Sequence, residues 1–249
     1  MRVEPLRASQ PSSLSTHVTE LRLIHPADSA LPIGALAHSF GLESLAAAGM
    51  LRVGELHGFL GAYLEEAGVM EGAYCRAAFR LAAAGPDSFS RERWLEINEW
   101  ISALKPARES RQGSGALGKN FLQAVLALGE FPVLRRALET TRQSQNPARA
   151  AIHHSTAFGL ASGALSFDED RSTGAYLHQL TAGLVSACQR LLPLGQTEAM
   201  RILWDLKRAM TEAARRSAAF PLDDACCFTP LLDWGAMEHP ALSTRLFIS

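Results

Sequence analysis

The sequence predicts an all-α protein, a single-domain bundle of about eight to ten helices with flexible N- and C-terminal tails. Two observations carry this prediction. Apolar residues recur at helical spacing in almost every segment between residues 18 and 219. Runs of Val, Ile and Thr that alternate with polar residues are missing, whereas Ala is abundant, and this composition disfavours strands.

The apolar stripes follow one another along the chain. Each stripe places its members three or four positions apart, so that one face of a helix is buried. Their members are Leu56, Phe59, Leu60, Tyr63, Leu64 and Ala67; Trp94, Ile97, Trp100, Ile101 and Leu104; Leu117, Phe121, Leu122, Val125 and Leu126; and Tyr176, Leu177, Leu180, Leu184, Val185, Cys188 and Leu191. We expect Trp100 to lie in the core.

Local signals predict several helix ends. Asn146 followed by Pro147 is typical of an N-cap and a first helical residue, so we expect a helix from there to about Leu165. Pro193 should end the longest stripe, and Thr197 can cap the next helix.

Both ends of the chain depart from this pattern. Residues 1–17 are rich in Ser and Pro, which predicts a mobile tail. Residues 18–219 should form the helical domain. Residues 220–249 lose the helical periodicity but keep large apolar side chains, so we expect a tail that orders with a partner.

Composition excludes several classes of protein. A net charge of -1 offers no broad basic field for nucleic acid. No apolar run approaches the roughly 20 residues that span a bilayer, and the N-terminus lacks the apolar core of a secretory signal. Four irregularly spaced cysteines do not suggest a disulfide framework, so we expect a cytoplasmic protein.

Residues 113–119 match the spacing of a phosphate-binding loop. Such a loop lies between a buried strand and a helix and needs a Ser or Thr after its Lys. Here a charged segment precedes the glycines, and Asn120 follows Lys119. We therefore interpret the segment as a helix whose small residues admit a close neighbour. The charged turn at residues 108–111, taken alone, is typical of a solvated helix surface.

Two groups of residues could suggest a metal site. His153 and His154 are adjacent, and adjacent helical side chains point about 100° apart, so packing roles are favoured. Cys226 and Cys227, with Asp223, Asp224 and His239 farther along, leave a transient metal contact open. We assign no metal ligand, cofactor or catalytic residue, because no constellation for catalysis emerges.

Four stretches of the chain are distinctive: residues 31–43 with the sequence LPIGALAHSFGLE, 108–121, 190–197 and 243–249. In this order and at these separations they resemble the urease accessory protein UreF family. Two departures are present. Ala35 and Leu36 replace a small-plus-aromatic pair, and residues 237–240 replace an Arg-His-Glu-x motif.

The resemblance implies a helical homodimer that is not an enzyme. UreF-like proteins bridge the accessory protein UreD, also called UreH, to the GTPase UreG, and the complex docks on apo-urease for GTP-dependent delivery of nickel. An all-α metal-dependent enzyme that uses His38, His153 or His154, and a helical scaffold of unrelated function, remain the alternatives.

The resemblance also suggests two partner-binding surfaces. Proline-stiffened loops and the charged residues beside them would face UreG, although Glu43 and Arg190 could equally brace these loops internally. The UreG-facing residues are Pro32, Gly34, Glu43, Arg190, Gly195 and Gln196. Apolar residues of the tail and one Arg would face UreD, namely Phe228, Leu231, Trp234, Arg245, Leu246 and Phe247.

Overall fold

The computed structural model describes residues 13–28, 31–146 and 150–249. The described residues form helices and connecting loops without a strand, which confirms the all-α prediction. The predicted N-terminal tail, residues 1–17, overlaps the first helix, and the residues before Ser13 lie outside the described ranges. None of the described helices combines the length and apolar character needed to cross a bilayer.

Twelve α-helical segments follow one another in the described residues. They are α1 Ser13–Ile24, α2 Leu42–Ala47, α3 Leu56–Tyr63, α4 Val69–Ala83, α5 Arg91–Ala103, α6 Arg108–Leu126, α7 Pro132–Gln143, α8 His154–Ala164, α9 Glu169–Leu191, α10 Gln196–Asp205, α11 Lys207–Ser217 and α12 Pro230–Glu238. A π-helical turn, Leu64–Gly68, joins α3 to α4, and only Leu206 separates α10 from α11. If each of these two pairs is counted as one continuous helix, the described residues contain ten helices, within the predicted eight to ten.

Helix α8 forms the centre of the bundle. A Cβ atom on Gly159 would lie 1.9 Å from the Cys75 carbonyl oxygen, and one on Gly163 would lie 2.3 Å from that of Phe79. The two glycines therefore let α8 approach the backbone of α4, closer than any other residue would allow. Phe158 stacks on Phe121 of α6, with ring centroids 5.4 Å apart, and extends this core sideways.

The prediction for Trp100 holds only in part, because Trp100 packs against the core without being fully buried. Trp100 is half-buried and lies under the Arg93 guanidinium, 4.6 Å from its ring centroid. Trp94 is the buried indole of α5, and its Nε1 donates to Thr141 Oγ1 at 3.0 Å. The inward face of α5 includes the polar residues Asn98 and Ser102, which an apolar stripe omits. Including them rotates the buried face away from Trp100.

Two predicted helix starts also need correction. Helix α8 begins at His154 rather than at Pro147, which lies outside the described residues. His153 stays extended because its N–H donates to Asn98 Oδ1 at 3.0 Å. Gly195, not Thr197, is the N-cap of α10. Helix α9 ends at Leu191, two residues before Pro193, as predicted.

The C-terminal segment lies on the bundle in the single chain. Helix α12 packs on α2, where a Cβ on Gly41 would lie 2.5 Å from the Leu232 carbonyl oxygen. Gly41 also has a φ of 97°, a left-handed conformation that favours glycine. The helix shows little periodicity in sequence because it is short and buries only Leu232, Gly235 and Ala236.

Candidate functional site

The residues that carry the four distinctive stretches meet at one place, which we call the tail junction. It comprises the loop of residues 36–40, Glu43 of α2, Glu109 of α6, Arg190 of α9, and the tail residues His239 and 245–249. These groups lie up to 211 positions apart in the chain. The fold therefore assembles the junction from five parts of the chain: the first loop, α2, α6, α9 and the tail.

Glu43 anchors the tail. Its side chain is buried in the first turn of α2. Oε1 accepts the Leu246 N–H at 2.6 Å, and Oε2 accepts the Phe247 N–H at 3.1 Å. Hydrogen bonds to a charged group are stronger than neutral ones, so Glu43 fixes two consecutive backbone amides of the tail. Of the two interpretations made from the sequence, these contacts match the internal brace.

His239 connects Glu43 to α6. The ring is completely buried; Nε2 lies 2.9 Å from Glu43 Oε2 and Nδ1 lies 2.7 Å from Glu109 Oε2. Arg245 Nη1 lies 3.7 Å from the other oxygen of Glu109. The expectation that residues 108–111 are merely solvated is thus wrong for Glu109, whose side chain is 18% exposed. Sequence reasoning considered His239 only beside the cysteines and missed this role, because its partners come from distant helices.

Arg190 holds the first loop and the tail together. Nη1 donates to the Leu36 carbonyl oxygen at 2.6 Å, and Nη2 donates to that of Leu246 at 3.3 Å. The guanidinium also lies over the Phe247 ring, 4.1 Å from its centroid. The planar group suits this role because it stacks and donates in a fork at the same time. Arg190 is nevertheless an exposed residue, so one side of it remains accessible.

The chain terminus lies along the first loop. The Ile248 N–H donates to the Ala37 carbonyl oxygen at 2.8 Å, and the Ser249 carbonyl oxygen accepts the N–H groups of Ser39 and Phe40. His38 Nδ1 lies 2.7 Å from Ser249 Oγ, and burial lowers the pKa of His38. These contacts hold residues 248 and 249 beside the first loop.

The outer side of the tail is apolar. Phe228 is 76% exposed, and Leu231, Trp234 and Met237 follow at intervals of three residues on α12 with 41–53% exposure. This spacing places Leu231, Trp234 and Met237 on one side of α12, away from the buried Leu232, and the exposed Phe228 lies just before the helix. We call these four residues the tail face. Leu246 is exposed as well, whereas Phe247 is buried at the junction.

The predicted UreG-facing residues do not all share one environment. Pro32, Gly34, Gly195 and Gln196 are exposed, in agreement with a surface role, whereas Glu43 is buried. Gly34 has a φ of 89° and marks a turn before the loop of the junction.

The two adjacent histidines belong to the core. His153 is completely buried, with Nε2 2.7 Å from Ser102 Oγ and Nδ1 3.0 Å from Ser114 Oγ. Burial, with the nearby Lys105 ammonium, lowers the pKa of His153 to about 3. Burial likewise lowers the pKa of His154 to about 4, and its ring packs edge-on against Phe121. Both rings therefore fill packing roles, as the sequence favours.

A cavity of about 100 Å³ lies next to His154, between the core and the tail. Glu71 and Lys105 form an ion pair on its wall, and Tyr176 donates to Glu71 Oε2 at 3.1 Å. Burial raises the pKa of Glu71, but the Lys105 ammonium outweighs this and leaves the pKa below its usual value. Glu71 and Lys105 thus neutralise each other on the cavity wall, which Asp233 also lines.

The glycine-rich segment lies inside helix α6. A Cβ on Gly118 would lie 2.0 Å from the Ile152 carbonyl oxygen, and one on Gly113 would lie 2.9 Å from His38 Nδ1. Small residues therefore admit close neighbours, as predicted, although one neighbour is the segment before α8 and the other is the first loop.

The structure does not group His239 with Cys226 and Cys227, the residues for which the sequence left a transient metal contact open. Both nitrogens of His239 face carboxylates, whereas Cys226 is exposed and burial raises the pKa of the Cys227 thiol to about 11. Among the residues that the structure describes, no three His, Cys, Asp or Glu side chains are grouped to hold a metal ion.

Comparison with known proteins identifies the relatives of this chain. The UreF family model matches residues 52–207. A urease accessory protein UreF of Rhodopseudomonas palustris (strain HaA2) is 32% identical over 247 residues, 98% of this chain and 97% of that protein. One of Corynebacterium glutamicum (strain R) is 30% identical over 228 residues, 91% and 96% of the two chains. The similarity thus extends on both sides of residues 52–207.

Proposed function

The chain belongs to the UreF family of urease accessory proteins, and we propose that it bridges UreD (UreH) and the GTPase UreG during GTP-dependent assembly of the urease nickel centre. The observation that carries this proposal is the tail junction. It seats an apolar tail face on the bundle, close to an exposed loop. Such an arrangement offers surfaces for partner proteins rather than a pocket for catalysis.

We assign the UreD contact to the tail face. Phe228, Leu231 and Trp234 present apolar surface in a seated segment, so that little ordering entropy opposes association. Leu246 extends this surface. Arg245 and Phe247, also expected to face UreD, would contribute indirectly, since they contact the junction.

The UreG contact is assigned to the exposed loop residues Pro32, Gly34, Gly195 and Gln196. Proline stiffens both loops, which lowers the entropy lost on binding. Glu43 and Arg190 would support this surface by bracing the first loop and the tail.

The complex would further include apo-urease and a second copy of this chain, and it would form in the cytoplasm. We propose no catalytic residue, cofactor or resident metal. An all-α metal-dependent enzyme is disfavoured because His153 is engaged by two serine hydroxyls and His38 contacts the chain terminus.

Co-purification with UreD and UreG tests the two assignments against each other. Leu231→Ser should lose UreD and retain UreG, because it removes an apolar contact from the tail face only. Gln196→Ala combined with Pro32→Ala should show the opposite pattern. Each variant is the control for the other. Loss of both partners in both variants, or of neither in either, would contradict the assignment.

A further inference from the structure

The cavity between the core and the tail has the composition of a small-molecule site. Its wall is mainly apolar, with Phe40, Met70, Leu117 and Leu184 among its residues, and polar groups come from α4, α8, α9 and the tail. Ligand sites in proteins combine an apolar wall with a few placed polar groups in this way. Because an apolar cavity of about 150 Å³ holds benzene, this cavity of about 100 Å³ has room for about four non-hydrogen atoms.

Two of the residues that line the cavity carry a buried polar atom without a partner. His154 Nε2 and Gln179 Oε1 make no hydrogen bond within the described ranges, 13–28, 31–146 and 150–249. Native structures seldom leave such atoms unpaired, because their lost hydration is then not replaced. Gln179 Oε1 can only accept, so it requires a donor. Burial lowers the pKa of His154 to about 4, and the neutral ring offers one N–H and one acceptor nitrogen.

The charges around the cavity favour an uncharged occupant. The Lys105 ammonium is paired with Glu71, to which Tyr176 also donates. Asp233 lines the cavity as well, and burial raises its pKa. An anion would meet two carboxyl groups, and a cation would meet the Lys105 ammonium and lose its hydration in a mainly apolar space. A neutral molecule avoids both penalties.

Three uncommon local features surround the cavity. Gly183 lies inside α9, where glycine disfavours a helix, and a Cβ on it would meet no atom within 4 Å. The π-helical turn that joins α3 to α4 begins after Tyr63 and contains Ala67, and both residues line the cavity. Phe40 has a φ of 50°, a left-handed conformation that is rare for a bulky residue. Features of these kinds are concentrated at functional sites, so their convergence on one cavity favours a binding site over a packing defect.

We propose that this cavity binds a small uncharged molecule that carries both a hydrogen-bond donor and an acceptor, of the class of short primary amides. The amide NH2 group would donate to Gln179 Oε1, and the amide oxygen would accept from the N–H of His154. The short alkyl group would pack against the apolar wall. The site belongs to the single chain and does not rest on the partners proposed above.

Titration of acetamide into the intact chain, followed by NMR of the backbone amides, tests the site directly. A molecule of this size binds at best with a dissociation constant of about 40 µM, so the titration extends to millimolar acetamide. We expect saturable shifts of the Gly183 and Leu184 amides, whereas Val133 of α7 should not shift. Acetate matches acetamide in size but is charged, so it should bind at least about tenfold more weakly. Absence of a saturable shift, which would mean that the cavity holds only water, or equal binding of acetate would overturn the proposal.

Two glycines of α9 provide matched variants. Gly183→Leu adds a four-carbon side chain at the cavity wall and should abolish the acetamide shift of Leu184. A Cβ on Gly174 would also meet no atom within 4 Å, but Gly174 does not line this cavity. Gly174→Leu should therefore leave the dissociation constant for acetamide within about twofold.

A smaller substitution keeps the test decisive if Gly183→Leu fails to fold. Gly183→Ala fills less of the space and should weaken acetamide binding at least about threefold. Undiminished binding in the folded Gly183 variant, or equal loss of binding in Gly174→Leu, would refute the site.

Discussion

His153 and His239 are both completely buried, yet their surroundings use them in opposite ways. Serine hydroxyls flank His153. Ser102 Oγ donates to the Asn98 carbonyl oxygen and can accept from Nε2, while Ser114 Oγ can donate to Nδ1, so a neutral ring is satisfied. Carboxylates flank His239 instead, and they come from two different helices, Glu43 of α2 and Glu109 of α6. Partner chemistry, rather than burial, therefore decides what a buried histidine does. The first is a packing group of the core, and the second joins the tail to two helices.

Acidification should produce the largest effect, at His153. Its pKa is about 3 in the folded chain, against about 6.5 for an unperturbed histidine, so the unfolded state takes up a proton first as the pH falls. The stabilising contribution is complete above about pH 6.5 and is lost progressively toward pH 3. Between pH 6.5 and 4 it should fall by on the order of 3 kcal/mol.

Urea unfolding at a series of pH values measures this loss. His153→Gln keeps hydrogen-bonding capacity near the two serines but cannot titrate, so the free energy of unfolding should depend less on pH in this variant. If the free energy of unfolding depends on pH identically in both proteins, protonation of His153 is not the cause of the loss.

Removal of the carboxylate at the tail junction should have the next largest effect. Glu43→Ala leaves two tail amides and His239 without their acceptor, which should lower the free energy of unfolding by about 2 kcal/mol. Glu198→Ala, in the exposed first turn of α10, is the control and should change it by less than about 0.5 kcal/mol. A melting temperature unaltered by Glu43→Ala would favour a partner-facing role instead.

Arg190 should give a smaller effect because it lies at the exposed rim of the junction. Arg190→Ala removes two hydrogen bonds and the contact with Phe247, and we expect a loss of about 1 kcal/mol. Arg190→Lys should recover only part of it, since an ammonium lacks the planar fork. Equal stability of the Ala and Lys variants would mean that the fork geometry is unimportant.

Much of the fold could be predicted from sequence, because helical periodicity is a local property. Trp100 was misplaced because the face of α5 that enters the core contains Asn98 and Ser102, whose burial depends on His153 and Thr156 in a distant segment. The packing of α12 on α2 could not be predicted from the sequence either, because it depends on the close approach of Gly41 and Gly235.

The candidate site, like the fold, could be predicted from the sequence only in part. Glu43 and Arg190 stand out in sequence because they adjoin turn-forming motifs. Their role as braces follows from contacts with tail residues more than 50 positions away, which no spacing rule predicts. His239 was considered only beside the cysteines, because the carboxylates that surround it come from α2 and α6.

The dissociation constant for UreD, measured for two single-tryptophan variants, tests the central claim most directly. Trp234 lies on the tail face, whereas Trp204 of α10 is more exposed, at 74% against 41%. If the tail face binds UreD, Trp234→Ala should weaken binding by about 30-fold, corresponding to about 2 kcal/mol, and Trp204→Ala should leave it within about twofold. Equal weakening by both variants, or weakening by Trp204→Ala alone, would contradict the account.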